Sequence, residues 1–181
     1  MDLTFRKEGH AARALSLVTG IFAFALFTYA GAFVRIPLPF TPVPLTLQTF
    51  CVLLSGAFLG GVAGPLSQMV YLALGAAGFS VFAGTGAGAL YLCGPTGGYI
   101  AGFVLASLVC GLSLGRVRGF AGTLAVFLLG SAVILVCGSA WLRFVTGIPV
   151  SAAIAQGMLP FVPGDMVKSV AAALILQRCR K

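Results

Sequence analysis

The sequence predicts an all-α membrane protein with six transmembrane helices and both termini in the cytoplasm. Of its 181 residues, 60% are hydrophobic and only 8% are charged, whereas a soluble domain carries roughly 25% charged residues. A membrane-spanning helix needs about 20 apolar residues, so the chain has room for about six helices and little else. The few basic residues lie at the ends of the apolar runs, which supports the same conclusion.

The distribution of basic residues predicts the orientation of these helices. With six spans both termini lie on one side, and that side carries eight basic residues against two, Arg35 and Arg143, on the other. Cytoplasmic loops carry the excess of Lys and Arg, so the termini are predicted to be cytoplasmic. Residues 1–13 then form a cytoplasmic tail, residues 14–177 a single membrane domain, and residues 178–181 a basic cytoplasmic tail.

The first span is predicted from the apolar run 14–34, which is too long for the hydrophobic region of a signal peptide. Small residues recur four positions apart at Ala12, Ser16 and Gly20. Such a strip lets another helix approach closely. The neighbouring helix belongs either to this chain or to a partner, and the sequence leaves both open.

Four prolines in residues 35–44 predict a stiff extended loop, because proline interrupts a helix interior. The second span is predicted at about 45–59, with Gln48 near the membrane boundary. Glycines within 60–64 predict a tight turn. A short third span is then predicted at about 65–74.

The glycine-rich stretch 75–94 is too apolar for a solvated linker and too rich in glycine for a stable helix. At membrane depth, irregular backbone is tolerated only where it is buried in protein or lines a cavity. We therefore predict a loop folded over a small ligand, with Phe82, Thr85 and Tyr91 as contacts. A plain structural connection is the alternative, and a phosphate-binding loop is excluded because no GxxxxGK[ST] motif is present.

The fourth span begins at the motif GPTGGY, which ends at Tyr99. Small residues recur every four positions along it and predict close packing on a neighbouring helix. A fifth span is predicted at about 121–141, and residues 146–160 suggest a short interfacial helix before the sixth span. The recurring small residues of the fourth span are Gly94, Gly98, Gly102, Ala106 and Cys110.

The sixth span carries the charged pair Asp165 and Lys168. Pro163 and Gly164 break the chain just upstream, so we predict a helix with Asp165 in its first turn, where a carboxylate is favoured. A spacing of three residues brings Lys168 onto the same face. Ionisable residues inside a membrane segment are costly, and they indicate a functional site. With the termini inside, this site and both unusual loops lie on the outer side.

Composition excludes several functions. The chain has one histidine and five scattered cysteines without a CxxC pair, so we expect no metal site and no cofactor. An intramembrane enzyme needs a nucleophile or a base, and the spans offer only one carboxylate, already matched with a lysine. We therefore expect a protein that is not an enzyme. Basic residues confined to span ends also argue against a nucleic-acid partner.

Three motifs, in this order and spacing, resemble the BioY family: RIPLPFTPVPLTLQTF (35–50), GPTGGYIAGF (94–103) and PGDMVK (163–168). The resemblance covers about residues 14–176. Members of this family are biotin-binding S-components of energy-coupling factor (ECF) vitamin transporters. The resemblance implies a six-helix, S-component-like bundle in the cell membrane that captures biotin on the outer face. It also implies three partner subunits, namely a transmembrane coupling subunit and two ATP-binding cassette ATPases.

The resemblance also implies roles for particular residues. By the family pattern Asp165 and Lys168 form the polar centre of the biotin site, and both outer loops close over the ligand. The strip Ala12, Ser16, Gly20 corresponds to the strip that docks S-components on the coupling subunit. Polar and aromatic residues predicted on the outer side complete the candidate substrate-binding set, which is Asp165, Lys168, Gln48, Thr85, Tyr91, Tyr99, Phe82 and Arg35.

Two orientations of biotin are compatible with the charged pair. Lys168 binds the tail carboxylate, or the pair holds the ureido ring, which has both N–H donors and a carbonyl. We favour the ureido ring, because a carboxylate beside Asp165 would meet like charge in a low-dielectric site. The tail carboxylate would then lie nearer the outer mouth, close to loop N–H groups and Arg35.

The main alternative function is a stand-alone carrier or facilitator for biotin or another small vitamin. The chain contains no ATPase and no relay of ionisable groups that a proton-driven pump would need. We therefore expect concentrative uptake to be energised by partner subunits. Transport by the purified chain alone in sealed vesicles would instead favour the carrier.

Overall fold

The fold is that of a computed structural model, which describes the backbone of residues 3–180 and the side chains of residues 12–180. Within residues 3–180 the chain forms seven helices and one two-stranded ribbon. In chain order these elements are α1 (Leu3–Phe33), β1 (Arg35–Ile36), β2 (Leu45–Thr46), α2 (Gln48–Ala76), α3 (Ala89–Leu92), α4 (Gly97–Ser113), α5 (Gly119–Thr146), α6 (Val150–Gly157) and α7 (Val162–Cys179).

The protein is predominantly helical, as its composition predicts. Among the described residues, helices α1, α2 and α5 are long and apolar enough to cross a membrane. Helices α6 and α7 meet at a bend of 48° and pass the same test together, whereas α4 is apolar but only 17 residues long. Helices suit the bilayer because they satisfy their backbone polar groups internally. The chain is therefore a multi-pass membrane protein.

Helix α2 turns back on itself at Gly60. The backbone of Gly60 is non-helical, with φ 80° and ψ −173°, a conformation that glycine adopts without a steric penalty. The side-chain amide nitrogen of Gln48 lies 2.6 Å from the hydroxyl of Tyr71, which is 23 residues further along the chain. A straight helix of that length would separate them by about 34 Å. The two halves of α2 are thus antiparallel, which confirms the predicted glycine turn.

The proline-rich segment is not helical, as predicted, but its two ends pair with each other. Arg35 is opposite Thr46 and Ile36 is opposite Leu45 in an antiparallel ribbon. Proline prevents a helix here, and pairing gives the extended ends partners for their backbone groups. The all-α prediction is therefore wrong for these four residues, and the helix that follows begins at Gln48 instead of at residue 45.

Helix boundaries elsewhere follow the sequence closely, with one exception at the N-terminus. Helix α1 begins at Leu3, inside the predicted polar tail. Arg, Lys and Glu are good helix formers, so the helix extends beyond the apolar run. Helix α6 matches the short helix predicted before the last span. Helix α7 begins at Val162 and has Asp165 in its first turn, as predicted.

Small residues bring α4 against its neighbours, which confirms the packing predicted for this helix. A methyl group added to Gly98 would overlap the side chain of Trp141 on α5. On the other side, a methyl group added to Gly56 of α2 would overlap the carbonyl oxygen of Ser107. Helix α4 therefore lies between α2 and α5 at a separation that only small residues allow.

The buried apolar side chains form two clusters. The first contains Tyr99 and Phe103 and includes residues of the long loops. The second contains Phe127 and Leu114. The guanidinium of Arg180 donates to the carbonyl oxygen of Leu114 at 2.8 Å. The second cluster therefore lies toward the basic C-terminal end, and the first lies toward the loops.

Candidate ligand-binding site

A cavity of about 50 Å³ lies next to the first apolar cluster. Helices α2, α4, α5 and α7 line it, together with the proline-rich segment and the glycine-rich loop, which spans residues 77–88. Its aromatic walls are Tyr91, Tyr99, Phe103 and Phe161. Most of its polar groups come from two places in the sequence, residues 46–49 at the start of α2 and the start of α7, and Thr96 adds a hydroxyl just before α4. These places lie in two of the sequence motifs, residues 35–50 and residues 163–168.

Asp165 and Lys168 form an ion pair at this cavity, as their spacing predicts. The Lys168 ammonium lies 2.5 Å from Asp165 Oδ1, and the two side chains are 11% and 5% exposed, respectively. The ammonium also donates to the carbonyl oxygen of Thr46 at 3.1 Å and to the hydroxyl of Thr49 at 2.6 Å. An ammonium has three N–H donors, so all three find acceptors within the protein.

The two oxygens of the Asp165 carboxylate have different surroundings. Oδ1 accepts from the Lys168 ammonium and from the Thr49 hydroxyl, the latter at 3.3 Å. Oδ2 is buried and, among the side chains that the structure describes, is the one buried polar atom without a hydrogen-bond partner. Leaving a buried acceptor without a donor costs about 1–3 kcal/mol or more. The cavity is therefore suited to a ligand that brings an N–H group to Oδ2.

Gln48 and Tyr99 line the cavity from α2 and α4. The Gln48 amide oxygen accepts from the Thr46 hydroxyl at 3.2 Å, and its nitrogen donates to the Tyr71 hydroxyl at 2.6 Å. An amide nitrogen carries two N–H groups, so a second donor remains for a ligand. The Tyr99 hydroxyl donates to the carbonyl oxygen of Gly157 at 2.6 Å. Tyr99 therefore contributes its ring to the wall, while its hydroxyl is satisfied by the protein.

The remaining predicted substrate-binding residues lie on both sides of the glycine-rich loop. Tyr91 lines the first cavity, whereas Phe82, Thr85 and Arg35 line a second cavity of about 260 Å³. The Phe82 ring is 2% exposed and occupies the space next to Gly75, where an added methyl group would overlap it. The structure thus brings five of the eight predicted residues together around the first cavity and three around the second.

Several residues of the site were missed in the sequence. Thr46 and Thr49 hold the Lys168 ammonium, and Phe161 contributes an aromatic wall. The contact between Thr49 and Lys168 joins residues 119 positions apart, so no local spacing indicates it. The available signals are weak: both threonines lie within two residues of Gln48, and Phe161 lies two residues before Pro163, where the last helix was predicted to start.

The small-residue strip on α1 is divided between two environments. Ala12 and Ser16 are exposed. Gly20 is partly buried, and a methyl group added to it would lie 2.8 Å from Leu59 Cδ2 of α2. Gly20 therefore contributes to packing within the chain, whereas Ala12 and Ser16 are accessible to a partner.

The cavity combines aromatic walls with a few fixed polar groups, which is the usual composition of a small-molecule site. Within the described part of the chain, no group of three or more His, Cys, Asp or Glu residues is arranged to hold a metal ion. Fold and cavity together define a multi-pass membrane protein that binds a small molecule. Residues 6–181 match the model of the BioY family, and the chain belongs to that family.

Individual relatives cover most of the chain. The probable biotin transporter BioY of Pyrococcus horikoshii is 41% identical over 167 residues, which are 92% of this chain and 96% of the relative. The biotin transporter BioY of Thermotoga maritima is 42% identical over 158 residues, covering 87% and 92%. A crystal structure of the S-component for biotin from an ECF-type ABC transporter superposes with a TM-score of 0.85 at 28% identity and covers 93% of each chain.

Proposed function

We propose that this protein is the biotin-binding S-component of an ECF-type transporter. The observation that carries the proposal is the buried Asp165 Oδ2, an acceptor without a donor, at a cavity with aromatic walls. The ureido ring of biotin supplies N–H donors of the required kind. Relatives that are named biotin transporters, and a similar S-component structure for biotin, support the same ligand. The protein transports its ligand and is not an enzyme.

In the proposed complex the ureido ring lies against the start of α7. One ureido N–H donates to Asp165 Oδ2, and the remaining Gln48 amide N–H donates to the ureido carbonyl. Gln48 replaces Lys168 in this role because the three Lys168 donors already have acceptors in the protein. Lys168 instead pairs with Asp165 and holds its carboxylate in place. Tyr99 and Phe103 cover the apolar part of the bicyclic ring.

The tail of biotin extends toward the glycine-rich loop. Sites for small ligands enclose roughly 300–1,000 Å³, whereas the first cavity encloses about 50 Å³. The second cavity, of about 260 Å³, lies on the other side of the loop and contains Arg35. We therefore expect the loop to shift on binding, so that the tail carboxylate reaches loop N–H groups and the Arg35 guanidinium.

Capture by this chain is one step of uptake, and the energy comes from partner subunits. The described residues form one helical bundle without a nucleotide-binding domain. A transmembrane coupling subunit and two ATP-binding cassette ATPases complete the proposed transporter, as the resemblance described above implies. The exposed Ala12 and Ser16 on α1 are the proposed docking contacts. Accumulation of biotin by the chain alone in sealed vesicles would instead identify a stand-alone carrier.

The proposed topology has six membrane segments and cytoplasmic termini. Counting the antiparallel halves of α2 separately gives segments from α1, both halves of α2, α4, α5 and α7. Arg180 contacts Leu114, close to Arg116 and Arg118, so basic residues from two parts of the chain meet at one end. That clustering supports a cytoplasmic location for this end. The polar residues 1–13 and the basic residues 178–181 would then flank a single membrane domain on its cytoplasmic side.

The proposal predicts that Asp165→Asn weakens biotin binding about 10- to 100-fold, since hydrogen bonds to a charged group contribute about 1.5–3 kcal/mol. Lys168→Ala should also weaken binding and lower the melting temperature, because it leaves the Asp165 charge unpaired. Calorimetric titration of each purified variant with biotin measures the binding. Ser169→Ala is the matched control, since Ser169 is buried on the same helix and contacts Ser131.

Parent-like affinity in a folded Asp165→Asn variant would disprove the assigned site. Biotin analogues test the orientation in the same titration. Biotin amide should still bind, whereas an analogue with blocked ureido nitrogens should not. The reverse pattern would instead favour the other orientation, in which Lys168 binds the tail carboxylate.

A further inference from the structure

Two tyrosine hydroxyls hold the glycine-rich loop on either side of Phe82. The Tyr71 hydroxyl donates to the carbonyl oxygen of Val81 at 3.1 Å, and the Tyr91 hydroxyl donates to that of Ala83 at 2.9 Å. The Phe82 ring packs edge-on against Tyr71 at 5.6 Å and stacks on Tyr91 at 5.0 Å. This part of the loop is therefore fixed at two points, one on each side of Phe82, and it forms the partition between the two cavities.

Tyr71 has a second partner that Tyr91 lacks. Its hydroxyl accepts from the Gln48 amide at 2.6 Å while it donates to the loop. Gln48 lines the first cavity and is bonded to Thr46, whose carbonyl oxygen accepts from Lys168. Thr46 thus joins two sets of hydrogen bonds: its carbonyl oxygen is bonded to the charged pair, and its hydroxyl is linked through Gln48 and Tyr71 to the loop.

Tyr71 itself is separated from the ligand site. It is 1% exposed and does not line the first cavity. Its ring contacts are with Phe82 and, at 6.5 Å, with Phe103. A change confined to its hydroxyl would therefore alter the loop without removing a contact to the ligand.

We propose that Tyr71 is a positioning residue that couples the occupancy of the cavity to closure of the glycine-rich loop. A ligand bonded to Gln48 fixes the amide in the orientation that donates to Tyr71. With its oxygen held by the Gln48 amide, the Tyr71 hydroxyl keeps its hydrogen directed at the carbonyl oxygen of Val81. The occupied site then holds its loop shut more firmly than the unoccupied site. This inference rests on the proposed function, because the ligand that contacts Gln48 is taken to be biotin.

Tyr71→Phe tests the inference, because it removes one hydroxyl and keeps the ring. One net hydrogen bond changes an equilibrium by roughly two- to tenfold. We expect hydrogen–deuterium exchange of loop amides such as Phe82 and Gly88 to rise by about this factor without biotin. The dissociation rate of biotin should rise by a similar factor, while its association rate changes little. Ser67→Ala is the control, because Ser67 lies one turn earlier and its hydroxyl also donates to a carbonyl, that of Gly64.

The inference would be overturned if Tyr71→Phe left the exchange of the loop amides unchanged, or if it raised the exchange of α4 and α5 as much as that of the loop. An effect of Ser67→Ala on loop exchange equal to that of Tyr71→Phe would also overturn it. Faster loop exchange with an unchanged dissociation rate would also overturn the coupling. Failure of the parent protein to bind biotin would count against the proposed function alone. The hydrogen–deuterium exchange of the parent and of Tyr71→Phe is compared without biotin. This comparison therefore shows whether Tyr71 holds the loop, whether or not biotin is the ligand.

Discussion

The charged pair at the cavity depends on Thr49. Its hydroxyl accepts from the Lys168 ammonium at 2.6 Å and donates to Asp165 Oδ1 at 3.3 Å. One small side chain thus bonds to both charged groups, while Asp165 Oδ2 stays free to accept from a ligand. Because two charges are expensive to bury without such partners, we regard Thr49 as part of the site.

Thr49→Val should weaken biotin binding about tenfold. Valine has nearly the same shape but removes the hydroxyl, and leaving a buried donor unsatisfied costs about 1–3 kcal/mol. Thr49→Ser keeps the hydroxyl and should bind within a few-fold of the parent. Titration of both purified variants measures the difference. Equal affinities for the valine and serine variants would show that the hydroxyl has no role.

The sequence predicted the ion pair between Asp165 and Lys168 but not the residues that contact it. A helical spacing of three residues was enough to bring Asp165 and Lys168 together. Thr49 contacts them across 119 or 116 positions of the chain, which no local pattern encodes. Phe82 remains a predicted ligand contact, and its ring packs beside Gly75 and lines the second cavity. Which side of a loop a residue faces depends on tertiary packing.

Among the elements, the glycine turn in α2 determines where the site lies. Reversal at Gly60 brings Gln48 next to Tyr71, at the same end as the glycine-rich loop. The sequence predicted this turn because glycine permits the required backbone conformation. It did not predict the ribbon between Arg35 and Thr46. Two-residue strands are too short to produce a recognisable alternation.

The proposed crossing of the membrane can be tested with two natural cysteines. Cys93 follows α3 and Cys179 ends α7, and both are exposed. In single-cysteine variants, a membrane-impermeant maleimide should label Cys93 in intact cells and Cys179 only after permeabilisation. Cys110 is buried and should stay unlabelled in both conditions. Labelling of both exposed cysteines in intact cells would rule out the proposed topology, and the opposite pattern would invert it.

At the scale of the whole molecule, the ligand site and the basic end lie at opposite ends of one bundle. The first apolar cluster surrounds the cavity, and the second lies near Leu114 and Arg180. Helix α1 packs along α2 and leaves a large apolar surface exposed, including Leu15 at 69% and Phe22 at 57%. Lipid or a partner helix covers such a surface, and small residues favour a helix. The sequence predicted the strip but not its division between internal and external faces.

The last prediction separates binding from docking. Ser16→Leu places a bulky side chain on the exposed part of the strip and should block close approach of a partner helix. Biotin binding by the purified variant should match the parent, while uptake with the partner subunits should be lost. Gly20→Leu should instead lower the melting temperature, because the new side chain displaces Leu59. Val18→Leu is the control, since Val18 is exposed and lies about 160° around the helix from Ser16. Normal uptake with Ser16→Leu, or equal loss with Val18→Leu, would contradict docking through this strip.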